Sequence, residues 1–229
     1  MKTQKHSLRK VVSFLNDEDE DGGFWLPNIQ RPFVWTEEQI SRLFDSILRE
    51  YPISTLLIWK TKAPVRCRKF IANYKDGIKL TDFYETPTTK KKCLVLDGQQ
   101  RLQSLYIALK GAYEGRELYF DLLSGDAAPP DDMRYKFEFF GEGEATFPWM
   151  RIKDLVFSGE DSYTATEKVV SAAGRVVTSE ERTRLGKNIA HVFKTFQDDD
   201  GIAYQELDSI ENADRYKEDD VVEVFIRAN

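Results

Sequence analysis

The residues best equipped for chemistry are Asp97, Gly98, Gln99, Gln100 and Arg101. Five consecutive positions combine a carboxylate, a glycine, two amides and a guanidinium. A guanidinium fork grips phosphate or carboxylate oxygens at two points. Glycine lets a ligand come close to the backbone. The chemistry on offer is anion binding, above all of phosphate.

The neighbouring residues are patterned to hold this group in place. Leu94 to Leu96 is an apolar run of strand length. Leu102, Leu105, Tyr106 and Leu109 then recur at i, i+3, i+4 and i+7, one face of a helix ending near Gly111. A buried strand that breaks at Asp97-Gly98 and opens a helix places these polar groups at a helix N-terminus. Such an end has unpaired N–H groups and a partial positive charge, which suit a phosphate. Asp97 with Gln100 also fits a capping box, which needs no ligand. Two features point beyond a cap. Three large polar side chains fill the first turn, and Arg101 sits at the positive end of the dipole, where a cation is unfavourable without an anion. Cap and site are compatible, and both are expected.

A second informative stretch is Gln30-Arg31-Pro32-Phe33-Val34-Trp35. Proline forces Arg31 into extended geometry. An extended arm of this kind can set an amide, a guanidinium and an indole around a nucleotide. It can equally be an edge strand whose aromatics pack while Arg31 finds a carboxylate.

Bulk properties narrow the class. The 229 residues suffice for one large domain or two small ones, and 41% hydrophobic residues allow a packed core. No apolar run reaches membrane-span length, and Met1 to Lys10 lacks the apolar core of a signal peptide. A cytoplasmic location without membrane contact is expected. Cys67 and Cys93 lack metal-ligand spacing, and the only histidines, His6 and His191, lie at opposite ends. Neither zinc nor Cys/His catalysis is suggested. A net charge of −6 argues against a surface broadly adapted to nucleic acid. Arg66, Arg68, Lys69 and Lys90 to Lys92 remain as the makings of a local basic groove.

Ser7 is expected to cap a first helix, and Thr36-Glu37-Glu38-Gln39 to open a second through Leu48, with Asp45 off its apolar face on the surface. Thr55 to Trp59 reads as a strand, and Val65 to Leu80 as a hairpin around Lys75-Asp76-Gly77. Leu118 to Leu122 and Arg134 to Phe140 read as strands, and the stretch from Trp149 to Val156 as a short helix. Thr166 to Ala173 and a capping box at Thr178 and Glu181 predict two further helices, with His191 on the surface. Ile202 to Leu207 is a predicted strand, and Asp219 to Ala228 a helix cut off at Asn229.

These pieces resemble a known family. Leu26-Pro27-x-x-Gln30-Arg31-x-x-x-Trp35 is followed by Leu43-x-Asp45-Ser46-Ile47, Pro52-Ile53, Asp97-Gly98-Gln99-Gln100-Arg101-Leu102 and Val224-Phe225-Ile226-Arg227-x-Asn229. In this order they resemble the N-terminal domain of GmrSD-type and SspE-like restriction proteins, which serve anti-phage defence. The resemblance implies an α+β fold of the ParB/sulfiredoxin-like kind: a small mixed sheet with flanking helices and a helical C-terminal part. It implies a nucleotide-binding core over residues 1–157 and a helical extension over 158–229, truncated before a downstream domain. It further implies binding and hydrolysis of GTP or ATP with Mg2+. Asp97, Gln100 and Arg101 then carry catalysis, with Asp97 as metal ligand or base and Gln100 or Gln99 orienting water. Gln30, Arg31, Trp35, Gly98, Gln99, Arg227 and Asn229 line the nucleotide. DNA and an HNH-type nuclease domain, downstream or on a partner chain, are the implied partners. A DNA-binding module that senses modified DNA without hydrolysis is the alternative. Two departures stand out. Ser54 replaces the glycine that follows Pro52-Ile53 in the family, and the Asn-x-Gly-Gly continuation of the last motif is absent.

Overall fold

The computed structural model describes residues 2–19, 23–28, 32–126, 129, 132–212, 216, 220, 221 and 223. β1 (Lys2–His6) precedes α1 (Leu8–Phe14), where the Ser7 hydroxyl accepts the Lys10 N–H as expected. β2 (Phe24–Pro27) leads to α2 (Glu37–Leu48), whose Thr36–Gln39 capping box is fully formed. Next come β3 (Leu56–Thr61), β4 (Cys67–Arg68) and β5 (Asn73–Tyr74). β6 (Lys92–Asp97) runs into α3 (Gln99–Lys110). β7 (Ala112–Tyr113), β8 (Glu117–Asp121), β9 (Phe137–Phe140) and β10 (Trp149–Arg151) precede α4 (Ile152–Val156). α5 (Ser162–Ala172), α6 (Ser179–Gln197) and β11 (Ile202–Asp208) complete the series.

The fold is α+β. Its main sheet has six strands in the order β1-β11-β3-β6-β2-β4. β6 is central, antiparallel to β3 and parallel to β2. Cys93 and Val95 of β6 face a large core roofed by helices, while Leu94 and Leu96 face a smaller cluster with Trp25, Trp59, Cys67, Leu207 and Val221. Alternate residues point to opposite faces of a strand, so an unbroken apolar run marks one buried on both. On the helical face, Phe44 of α2 stacks on Phe196 of α6 and lies against Phe137 of β9. The 158–229 part is not purely helical. Its strand β11 sits inside the main sheet, parallel to β3 and antiparallel to β1. Among the described residues no helix is long and apolar enough to cross a membrane.

Several local expectations are corrected. Asp45 is buried: its Oδ1 accepts the Tyr135 N–H at 2.8 Å and its Oδ2 lies 3.3 Å from the Arg49 guanidinium. His191 is half-buried, with Nε2 2.6 Å from the Leu48 carbonyl oxygen. The Lys75–Ile78 turn forms, but no hairpin surrounds it, since β4 pairs with β2 and β5 pairs in parallel with β7. Long-range amides outcompete the local turn. Gln103 bonds both the N–H and the carbonyl of Ile71, and Asn16 does the same for Phe70. Trp149 to Arg151 is strand β10, paired with β8, before the short helix begins. α5 starts earlier than the apolar pattern indicates because Asp161 accepts the N–H groups of Tyr163 and Thr164. The predicted C-terminal helix lies mostly outside the described residues; Val221 within it is buried.

Candidate functional site

β6 ends at Asp97, and the chain turns through Gly98 into α3. Gly98 is the N-cap, with φ +90 and ψ 11, and no side chain caps the helix. The expected Asp97–Gln100 capping box is therefore absent. The left-handed glycine places the first helical residue at Gln99, one position later than a cap at Asp97 requires. The first N–H groups of α3 therefore have no capping side chain. A Cβ on Gly98 would meet Leu56 Cδ2 at 2.2 Å and Arg101 Nη2 at 3.2 Å. The turn thus needs glycine twice, for its conformation and for the close pass of β3. Gly98→Ala is expected to cost about 2–3 kcal/mol, from a left-handed alanine plus the displacement of buried Leu56. A denaturant melt checks this; wild-type stability would mean the turn relaxes freely.

Arg101 lies over this turn. Its Nη1 donates to the carbonyl of Ile53, and its Nη2 is 3.6 Å from Asp97 Oδ2, an ion pair longer than a hydrogen bond. The guanidinium is largely buried while Asp97 is 44% exposed. Burial holds the Arg101 pKa below its ordinary value, and the nearby Asp97 charge only opposes this. The result is a desolvated cation with a loose acid partner, beside a helix start that no side chain caps. The Ile53 carbonyl is presented by a strained corner, since Ser54 has φ +69, unusual for a non-glycine residue. That conformation is the physical reason a glycine would suit position 54.

The two amides are engaged with the backbone. Gln99 is buried, and its Nε2 donates to the carbonyls of Val95 (3.0 Å) and Leu96 (3.4 Å), fixing the end of β6. Gln100 Oε1 accepts the Val34 N–H and its Nε2 donates to the Pro32 carbonyl, both at 3.1 Å. Gln100 thus clamps the arm that precedes α2. Trp35 on that arm is half-buried against the core, and Phe33 is buried edge-on to Tyr74. Gln30, Arg31, Arg227 and Asn229 lie outside the described residues. The structure therefore brings together Asp97, Gly98, Gln99, Gln100, Arg101 and the Pro32–Val34 segment. The Ile53–Ser54 corner belongs to the same site and carries no chemical signal in the sequence beyond its proline.

Asp97 is the accessible carboxylate here. Among the described residues no three His, Cys, Asp or Glu side chains gather as metal ligands. A single carboxylate suits Mg2+, which keeps several waters and takes its other oxygens from a phosphate ligand. The basic residues do not form one exposed surface. Arg68 is buried, with its pKa lowered by burial. Lys69 pairs with Glu18 at 2.9 Å and Glu85 at 3.2 Å, and Arg66 lies 4.4 Å over the Tyr84 ring.

Comparison with known proteins yields two findings. A family described as "GmrSD restriction endonuclease, N-terminal domain" matches residues 11–229. An uncharacterised protein of Methanocaldococcus jannaschii is 38% identical over 104 residues, 45% of this chain and 17% of that protein. The chain thus spans a small part of that relative's length.

Proposed function

Because the chain belongs to the GmrSD restriction endonuclease N-terminal domain family, and so to a restriction system, we propose that it is that system's nucleotide-binding and hydrolysing module. The observation that carries this reading is the uncapped N-terminus of α3 beside buried Arg101. Phosphate oxygens accept the N–H groups at the start of α3. Arg101 neutralises their charge, keeping its bond to Ile53. Asp97 holds Mg2+ or takes the proton of the attacking water. The cation, when bound with the nucleotide, supplies charge neutralisation between phosphates. Gln100 keeps the Pro32–Val34 arm against this end of the helix, and its amide meets water only by releasing Pro32 or Val34; Gln30 and Arg31 are nucleotide-binding residues in this reading. Arg227 and Asn229 are further nucleotide-binding residues in this reading. Phosphoryl transfer to water asks mostly for positioning and charge stabilisation, which these groups provide. DNA and an HNH-type nuclease are the proposed partners of the whole protein.

The test is direct. Protein incubated with Mg2+ and GTP or ATP should bind the nucleotide and release phosphate. Asp97→Asn should keep binding and lower turnover on the order of 10²-fold, the usual contribution of a positioned acid–base group. No binding of either nucleotide would refute the proposal.

A further inference from the structure

On the opposite face of the main sheet from α3 lies a cleft of about 550 Å³. Trp25 and Cys67 line it, and both belong to the smaller cluster on that face. Its walls carry Lys62, Lys90, Lys91 and Lys92, together with the hydroxyls of Thr86, Thr88 and Thr89. Lys92, the first residue of β6, is 5% exposed. Among the described residues no hydrogen bond or ion pair engages its ammonium group, and the Cys67 thiol is its electrostatic neighbour. The Lys92 stem is buried while the ammonium group, which lines the cleft, remains available to an anion.

Acids also line the cleft, and they must be weighed. Glu18 and Glu85 are both held by Lys69, which lies 5.8 Å over the Trp25 ring. Asp17 Oδ1 is occupied by the Asp19 N–H at 3.1 Å. None of them pairs with Lys92. Two of the four acids are thus already countered by Lys69, a lysine outside the cleft lining. Of the lining lysines, Lys62 and Lys90 are exposed while Lys92 is buried. A graded set of ammonium groups with threonine hydroxyls between them fits a tetrahedral oxyanion, which needs charge and several donors at once.

The geometry points to a second, phosphate-binding site in this cleft, with Lys92 as its buried anchor and Lys62 and Lys90 as its exposed lysines, separate from the α3 site. The phosphate can belong to a free anion or to a nucleic-acid strand, and the probes distinguish the two. Anisotropy of a fluorescent 12-nucleotide single strand reports strand binding, and titration calorimetry with inorganic phosphate reports the free anion. Lys92→Met is expected to weaken the bound probe at least tenfold. Lys62→Gln/Lys90→Gln is expected to weaken it three- to tenfold, and for the strand to reduce the salt slope by about 0.7 per lysine. The double variant changes exposed residues, so the test survives if Lys92→Met fails to fold. Response to the strand alone assigns a backbone phosphate; response to inorganic phosphate assigns a free anion. Binding of neither probe, or wild-type binding by the double variant, overturns the inference.

Discussion

Asp45→Ala is expected to destabilise the protein by about 3–5 kcal/mol, the usual cost of removing one partner from a buried ion pair. Asp45 is 5% exposed in the middle of α2. Its loss would strand the Arg49 guanidinium, which among the described residues keeps the Asp132 carbonyl at 3.3 Å and the Tyr51 ring at 4.8 Å. It would also strand the Tyr135 N–H, whose acceptor is Asp45 Oδ1. An unsatisfied buried donor alone costs about 1–3 kcal/mol. Asp45→Asn offers the discriminating control. It keeps an oxygen acceptor for Tyr135 and loses the charge opposite Arg49, so about half the effect should remain. At roughly 2–4 °C per kcal/mol for a chain of this size, alanine should lower the melting temperature by about 10 °C and asparagine by about 5 °C. Equal melting of both variants would show that the charge opposite Arg49 is nearly the whole interaction and the Tyr135 bond the smaller part.

Asp45 also shows where sequence reading stops. The i, i+3, i+4 stripe of α2 correctly names Ile40, Leu43, Phe44 and Ile47 as core. It places Asp45 outside, because a single stripe describes a helix packed on one side. α2 is covered on a second side by the chain entering β9, whose Tyr135 N–H requires an acceptor. That requirement comes from 90 residues away and leaves no local mark. Caps behave oppositely. Ser7, Thr36 and Thr178 are legible because donor and acceptor lie three residues apart. β6 is legible because burial on both faces needs an unbroken apolar run. At the site, the residue types were legible and their duties only partly so. Nothing local distinguishes a cap at Asp97 from a left-handed Gly98; contact with Leu56 decides it. Gln100 finds its partners 66 and 68 residues away, on an arm that the sequence identifies without saying what holds it.

Arg101→Ala is the substitution expected to cost most in function: phosphate release should fall about 10²–10³-fold, the scale of losing one preorganised charge-stabilising donor. The guanidinium is a largely buried cation in the first turn of α3, and the helix dipole alone does not replace it. Its removal also frees the Ile53 carbonyl and leaves Asp97 without its 3.6 Å partner. A purely structural Arg101 would therefore show a stability loss with turnover unchanged in the folded fraction. Arg101→Lys separates the two roles. Lysine keeps a positive charge but cannot bond Ile53 and an anion through one planar fork. Nucleotide affinity should then survive in part, while turnover, which depends on where the charge sits, should stay low. Affinity and turnover falling together in lysine and alanine alike would mean that geometry matters for binding as well. A folded alanine variant that hydrolyses nucleotide at the wild-type rate would remove Arg101 from the reaction. The N-terminus of α3 would then be a well-packed turn whose buried arginine serves only to tie Ile53 to the helix.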